Sequence, residues 1–165
     1  MTTSTLQLKQ QVTRLFFLLC LTYGVGFFIM AFLQTPIQME WYNTLFHSSL
    51  TPPPITFSVA WTVLYALIAI STSMVWKKTG HSMFFIQLFL QIIWSYTFFV
   101  AHALWLGFIV LILLCLIVGL MTFVYWKYSK LTGLLIAPYF VWCIFAAYLN
   151  FAYYLIVYLS VIKIK

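Results

Sequence analysis

Five apolar runs, each near the length that crosses a bilayer, leave this chain almost no other way to fold. A membrane helix needs roughly 20 apolar residues. The runs extend from about Leu15 to Leu33, Ile55 to Val75, Met83 to Ala103, Leu104 to Tyr125 and Leu134 to Ile162. Only 5% of the residues are charged and 65% are hydrophobic, whereas a soluble domain carries roughly 25% charged residues. A soluble core of 165 residues cannot hide that much apolar surface. Lipid offers no partners to backbone N–H and C=O groups, so the runs read as helices. The predicted fold class is an all-α integral membrane protein, a five-transmembrane-helix bundle forming one membrane domain over residues 1–165. The third and fourth runs nearly abut. His102 and Trp105 mark the break, tryptophan being suited to a membrane interface. Polar turns, WKKTGH after the second run and WKYSK after the fourth, separate their neighbours.

The net charge of +7 does not point to nucleic acid, because the basic residues sit at span ends and form no stripe. With five spans, Lys9, Arg14, Lys77, Lys78, Lys127 and Lys130 fall on one side and Lys163 and Lys165 on the other. The positive-inside rule then places the N-terminus in the cytoplasm and the loop Gln34–Pro54 outside. The first run is too long for a secretory leader, and no small-x-small cleavage site follows it. The one acid, Glu40, lies in that outer loop. Proton-coupled transporters keep an acid within the bilayer, so such a pump is disfavoured. Cys20, Cys115 and Cys143 are odd in number and dispersed within apolar runs, which argues for packing and against a disulfide framework. His47, His81 and His102 are equally scattered. No metal-ligand spacing is visible, and neither a nucleophile–base pair nor a covalent cofactor site can be read.

Aromatic and amide residues do recur on single helix faces. Phe57, Trp61 and Tyr65 stand four apart in the second span and share a face. Gln87, Gln91, Trp94, Ser95 and Phe98 form a comparable row in the third. Pro138, Trp142, Ala146 and Asn150 do so in the fifth, with Phe145 and Leu149 beside them. Amides at that depth must face the bundle interior or a cavity. Two readings follow from spacing. The rings and amides either fill the core and join the helices, or they line an apolar pocket with a few polar groups, suited to a flat hydrophobic ligand.

Three stretches resemble the translocator protein or tryptophan-rich sensory protein (TspO/MBR) family. WYNTL…TPPP…AWTVLY, Trp41 to Tyr65, is similar to that family's W-Y-x-x-L, T-P-P and W-x-x-L-Y. QLFLQIIWSYTFF, Gln87 to Phe99, is similar to Q-L-x-L-N-x-x-W-S-x-x-F-F. PYFVWCIFAAYLN, Pro138 to Asn150, is similar to P-Y-x-x-W-x-x-F-A-x-x-L-N and is the most specific of the three. The resemblance implies a five-helix bundle, often a homodimer, whose pocket lies beneath the first loop. It implies porphyrins or haem, sterols and drug-like apolar molecules as ligands, and a bacterial cell membrane sooner than a mitochondrial outer membrane. The matching positions are Tyr42, Trp61, Trp142, Phe145, Ala146 and Asn150. With the facing residues Leu50, Tyr65, Gln91 and Trp94 they form the expected ligand-binding set.

The chain departs from the family pattern in places. His47, Ser48, Ser49 and Leu50 stand where the family reads K-P-x-W, so a leucine replaces the loop tryptophan. Gln91 replaces an asparagine, keeping the amide and lengthening its reach. Leu155, Tyr158 and Lys163 fit the loose sterol pattern L/V-x-Y-x-K/R, which interface anchors also fit. The leading expectation is a membrane receptor or carrier for tetrapyrroles or similar flat apolar molecules, held in a bilayer. A second is a light-dependent porphyrin-degrading enzyme using Trp61 and Trp142. A third is a structural or regulatory membrane subunit with a vestigial pocket.

Overall fold

A computed structural model describes residues 3–45, 50–79 and 81–164, without the side chains of residues 3, 4, 160, 161, 163 and 164. His47, Ser48, Ser49 and the side chain of Lys163 therefore lie outside the described residues. Six α-helices follow in order: α1 (Thr3–Phe28), α2 (Pro36–Thr44), α3 (Pro54–Val75), α4 (Ser82–Ser95), α5 (Leu104–Tyr128) and α6 (Lys130–Ile164). No strand occurs among the described residues. α1 and α4 each run on into one π-helical turn, Ile29–Leu33 and Tyr96–Val100. With those turns they join α3, α5 and α6 as five helices long and apolar enough to cross a membrane. The chain is a multi-pass integral membrane protein with the five-helix architecture read from its sequence.

The boundaries differ in three places, each for a physical reason. α1 begins at Thr3, well before Leu15. The polar segment TSTLQLKQQVTR contains no Gly or Pro and is rich in residues of good helix propensity, so nothing stops the helix at the end of the apolar run. WKYSK is not a polar turn. α5 continues through Tyr128, α6 starts at Lys130, and only Ser129 is extended, at φ −162° and ψ 128°. Thr132 Oγ1 donates to the carbonyls of Tyr125 at 2.9 Å and Ser129 at 2.8 Å, pinning the start of α6 to the end of α5. Gly133 lets α6 close on α5, since a Cβ there would stand 2.9 Å from Trp126 Cα.

The third difference is in the first loop, which contains a helix of its own. Thr35 is extended at its N-cap and Pro36 opens it, a position where a missing N–H costs little. The proline run leads from the loop into α3. Pro53, at φ −56° and ψ 149°, is extended in the polyproline region, and Pro54 begins α3.

α4 and α5 are separated at Ala101–Ala103, where His102 adopts a positive φ of 52°, a region histidine tolerates better than most residues. Its ring stacks on Trp41 of α2 at 3.8 Å and 11°, fixing α2 to this break. Because the spans alternate in direction, Lys9, Arg14, Lys77, Lys78, Lys127 and Lys130 share one end of the bundle, here the basic end. α2 and both π turns occupy the other, the loop end. Towards the basic end the core is closed, with Leu18, Ile68, Phe84, Leu114, Met121, Ile136 and Tyr139 at 0% exposure or within a few percent of it. A separate cluster of Phe98, Phe99, Leu104, Leu149 and Tyr153 packs beneath α2 at the loop end.

Candidate ligand-binding site

Between these two clusters lies a cavity of about 670 Å³. α1, α3, α4 with its π turn, and α6 form its walls. Met39, Tyr42 and Asn43 of α2, with the return Thr51–Pro54, cover the loop end. π turns favour functional sites because they redirect side chains that an α-helix would carry elsewhere. Here Ile29, Met30, Phe98 and Phe99, all from π turns, face the space.

The face read on α3 is present. Phe57, Trp61 and Tyr65 all line the cavity. Trp61 stacks against Tyr65 with ring centroids 5.6 Å apart and meets Trp142 of α6 edge-on at 6.4 Å and 83°. Phe57 contacts Trp142 edge-on at 5.7 Å. Such offset and T-shaped pairs are the favoured aromatic arrangements. Gly26 of α1 makes room for this stack, because a Cβ there would overlap the Tyr65 ring.

Eight of the expected residues line the cavity: Tyr42, Trp61, Tyr65, Gln91, Trp94, Trp142, Ala146 and Asn150. Two do not. Leu50 is 60% exposed, and Thr51 is the residue of that segment that reaches the wall. Phe145 stands one step around α6 and packs behind Trp142 at 5.6 Å, within the loop-end cluster. Gln87 is one turn too far towards the basic end. It accepts a hydrogen bond from the Tyr139 hydroxyl at 2.9 Å inside the closed core.

The polar atoms fall into two sets. Asn150 is spent within the bundle. Its Oδ1 accepts from Trp94 Nε1 at 3.2 Å and its Nδ2 donates to the Leu104 carbonyl at 2.7 Å, tying α6 to α4 and α5. Gln91 is half spent. Its Nε2 donates to the Tyr65 hydroxyl at 2.8 Å, while Oε1 has no partner. Trp142 Nε1 is also buried without a partner. Both residues line the cavity, and these two atoms are themselves buried just behind its surface. A buried polar atom left unpaired costs about 1–3 kcal/mol, and a ligand supplying the missing bonds recovers that cost.

Tyr153 of α6 holds the cover in place. Its hydroxyl lies 3.1 Å from the Tyr42 hydroxyl and 3.1 Å from Thr51 Oγ1. Burial, and then the hydrogen bond with Tyr153, push the Tyr42 phenol well above its usual pKa, so it stays neutral. Among the described residues no charged side chain, histidine or cysteine lines the cavity, and no cluster of metal-binding side chains occurs.

The α1 wall was not read from the sequence. Tyr23, Phe27 and Met30 line the cavity at i, i+4 and i+7, the same signal used on α3 and α6. Phe27 is 64% and Met30 61% exposed, so among the large hydrophobic lining residues this wall is the cavity's most exposed one. The Tyr23 hydroxyl donates to the Thr62 carbonyl of α3 at 2.8 Å. Tyr153, three residues beyond Asn150, lies on the same helix face as the Trp142–Ala146–Asn150 row and could have been found from it.

The profile of the TspO/MBR family matches residues 16–155. The chain is 33% identical to the tryptophan-rich protein TspO of Chlorobaculum tepidum over 153 residues, covering 87% of this chain and 96% of that protein. It is 34% identical to the tryptophan-rich protein TspO of Archaeoglobus fulgidus over 139 residues, covering 81% and 90%. Against the translocator protein of Sus scrofa the identity is 28% over 122 residues, covering 68% and 72%.

Proposed function

Since the chain belongs to the TspO/MBR family, we propose that it is a membrane receptor or carrier that takes a flat, largely apolar ligand, a porphyrin or related tetrapyrrole, into the cavity between α1, α3, α4 and α6. Sterols and drug-like apolar molecules fit the same description. One observation carries this reading. A cavity of about 670 Å³, within the roughly 300–1,000 Å³ range of small-molecule sites, is walled by aromatic rings and keeps two unpaired polar atoms, Gln91 Oε1 and Trp142 Nε1. The rings supply stacking area, and a small rotation of Gln91 or Trp142 brings its buried unpaired atom to the ligand and fixes orientation. With no cation among the described wall residues, the ring system of a porphyrin enters and its carboxylates stay at the mouth, towards water. The exposed side chains Phe27 and Met30 of the α1 wall would let an apolar ligand enter from the bilayer. The basic end lies in the cytoplasm, as the positive-inside rule has it, so the covered mouth faces outward.

The test is a titration of the purified protein with protoporphyrin, read by tryptophan fluorescence. Ala146→Phe fills the space beside Trp142 and is expected to weaken binding at least ~10-fold, about 1.4 kcal/mol. Unchanged binding in that variant removes the cavity from the reading. A second reading, light-dependent porphyrin breakdown, is supported by Trp61 and Trp142, which place two oxidisable indoles 6.4 Å apart on the wall. Illuminated porphyrin is then expected to bleach faster with the protein than without it, and Trp61→Phe with Trp142→Phe is expected to remove the difference.

A further inference from the structure

Every basic residue at the basic end lacks an acidic partner within its own chain. The sequence holds one acid, Glu40, and that residue lies in α2 at the loop end. At ~1.5 Å per residue, α1 alone separates Lys9 from the loop end by roughly 35 Å. That distance is several times the Debye length of ~8–10 Å. The counter-charge of the basic end must therefore come from outside the protein.

The residues that would meet it are arranged as a groove. Lys9, Gln10, Thr13, Arg14 and Phe17 of α1 border a shallow space of about 490 Å³ closed on its other side by Trp76. On α1 these positions are i, i+1, i+4, i+5 and i+8, one face of the helix. The groove is graded along the membrane normal. Lys9 and Gln10 lie outermost, Arg14 follows, and Phe17 lies deepest. Arg14 is half-buried and spends one donor on the Ser73 carbonyl at 3.2 Å, at the C-terminal turn of α3. A guanidinium carries five N–H donors in a fork that suits phosphate. Lys77 reaches Gln10 Oε1 at 3.4 Å and adds its charge at the rim. Trp76 is held by its own neighbour, for the His81 ring stacks on it at 3.7 Å and the His81 Nε2 lies 2.8 Å from its carbonyl.

We propose that this groove binds the phosphate of an anionic phospholipid in the leaflet at the basic end, with Lys9 and Arg14 holding the phosphate and Phe17 and Trp76 flanking the first part of the acyl chains. Basic pockets between membrane helices are suited to such headgroups. A lipid fits better than free phosphate because the charged upper part and the aromatic lower part form one continuous groove, and only a molecule with a head and a tail fills both. The site is separate from the cavity, which lies at the other end of the bundle, so neither reading depends on the other.

The experiment is native mass spectrometry of the purified protein in detergent with equal amounts of phosphatidylglycerol and phosphatidylcholine. Wild type is expected to retain phosphatidylglycerol in clear excess. Lys9→Gln removes a charge without touching an internal hydrogen bond and is expected to reduce retention about fivefold, the weight of one basic residue at an anionic surface. Arg14→Gln is expected to do at least as much, with its fold checked by thermal unfolding in the same detergent. The control is Lys127→Gln with Lys130→Gln, which lowers the charge of the same end by more but leaves the groove intact, and it is expected to retain the lipid as wild type does. Equal retention of both lipids, or equal loss in the control, overturns the site in favour of diffuse attraction. Displacement by millimolar inorganic phosphate overturns the assignment to a lipid.

Discussion

The two halves of this bundle are built from the same helices and nearly the same amino acids, yet one is closed and the other hollow. Towards the basic end, each polar pair is internal. The Ser71 hydroxyl donates to the Thr132 carbonyl at 2.8 Å, Tyr139 to Gln87 at 2.9 Å, and Tyr125 to Thr72 at 3.3 Å. The Gln87 Nε2 is the one unpaired buried side-chain atom of that half among the described residues. Towards the loop end the helices depart from α geometry, the rings meet at their edges, and two cavity-lining residues, Gln91 and Trp142, keep unpaired atoms. A water-soluble core would tend to collapse such a space to remove apolar surface from water. In lipid there is little hydrophobic drive between helices, and an empty space costs mainly the dispersion attraction that its lining forgoes. A membrane bundle can therefore keep a cavity that a ligand or a lipid chain fills, provided that the other half supplies the packing.

The sharpest way to break that contrast is to overpack both halves. Gly133→Leu drives a side chain into the Trp126 backbone and is expected to cost about 3 kcal/mol or to prevent folding. Ala146→Phe, pointing into the cavity, is expected to cost less than about 1 kcal/mol, since empty space receives the ring. Thermal unfolding of both variants in the same detergent decides it. Equal losses would mean that the loop half is packed as tightly as the other.

The paired amides give the next largest difference. Gln87→Leu leaves the Tyr139 hydroxyl buried without its acceptor, and a loss of about 2 kcal/mol is expected. Gln91→Leu frees the Tyr65 hydroxyl, which borders the cavity, so stability is expected to fall by about 1 kcal/mol or less while porphyrin affinity changes. If the two variants unfold alike and bind alike, the two glutamines are equivalent and the division between core and cavity fails.

What the sequence could and could not show follows from the same division. Span number was legible because apolar length is set by the bilayer. The start of α1 and the one-residue turn at Ser129 were not, because polar residues mark the end of an apolar run, not the end of a helix. The cavity rows on α3 and α6 were legible from four-residue spacing. On α4 the same spacing put Gln87 and Gln91 together, and only the packing of Tyr139 against Gln87 separates them. Tyr23, Phe27 and Met30 were missed because their row carries no amide or tryptophan to mark it among other apolar residues. Leu50 was placed on the wall by its loop position, whereas Tyr42 of α2 and Thr51 are the residues that line it.

Smaller effects are expected where the cover meets the cavity. Tyr153→Phe removes the hydroxyl that faces both Tyr42 and Thr51. A loss of about 1 kcal/mol would speed ligand release roughly fivefold by stopped-flow fluorescence, with little change in unfolding temperature. Release as slow as in wild type would show that α2 is held by other contacts, such as Trp41 on His102.

The pH response of the same junction is the smallest effect and the most specific. The Tyr42 phenol is raised by burial first and by its bond with Tyr153 second, whereas an unfolded tyrosine titrates near ~10. A group whose folded pKa is raised contributes its full share of stability below the unfolded value and loses it as pH rises through the folded one. The docking of α2 should therefore be flat through neutral pH and weaken only above ~10. Tyr42 is partly accessible, so solvent screens the effect, and amide exchange within α2 is a better readout than global unfolding. Exchange that quickens above that pH in wild type but not in Tyr42→Phe would assign the response to this phenol. The same rise in both proteins would place it elsewhere, leaving the cover held by stacking and packing alone.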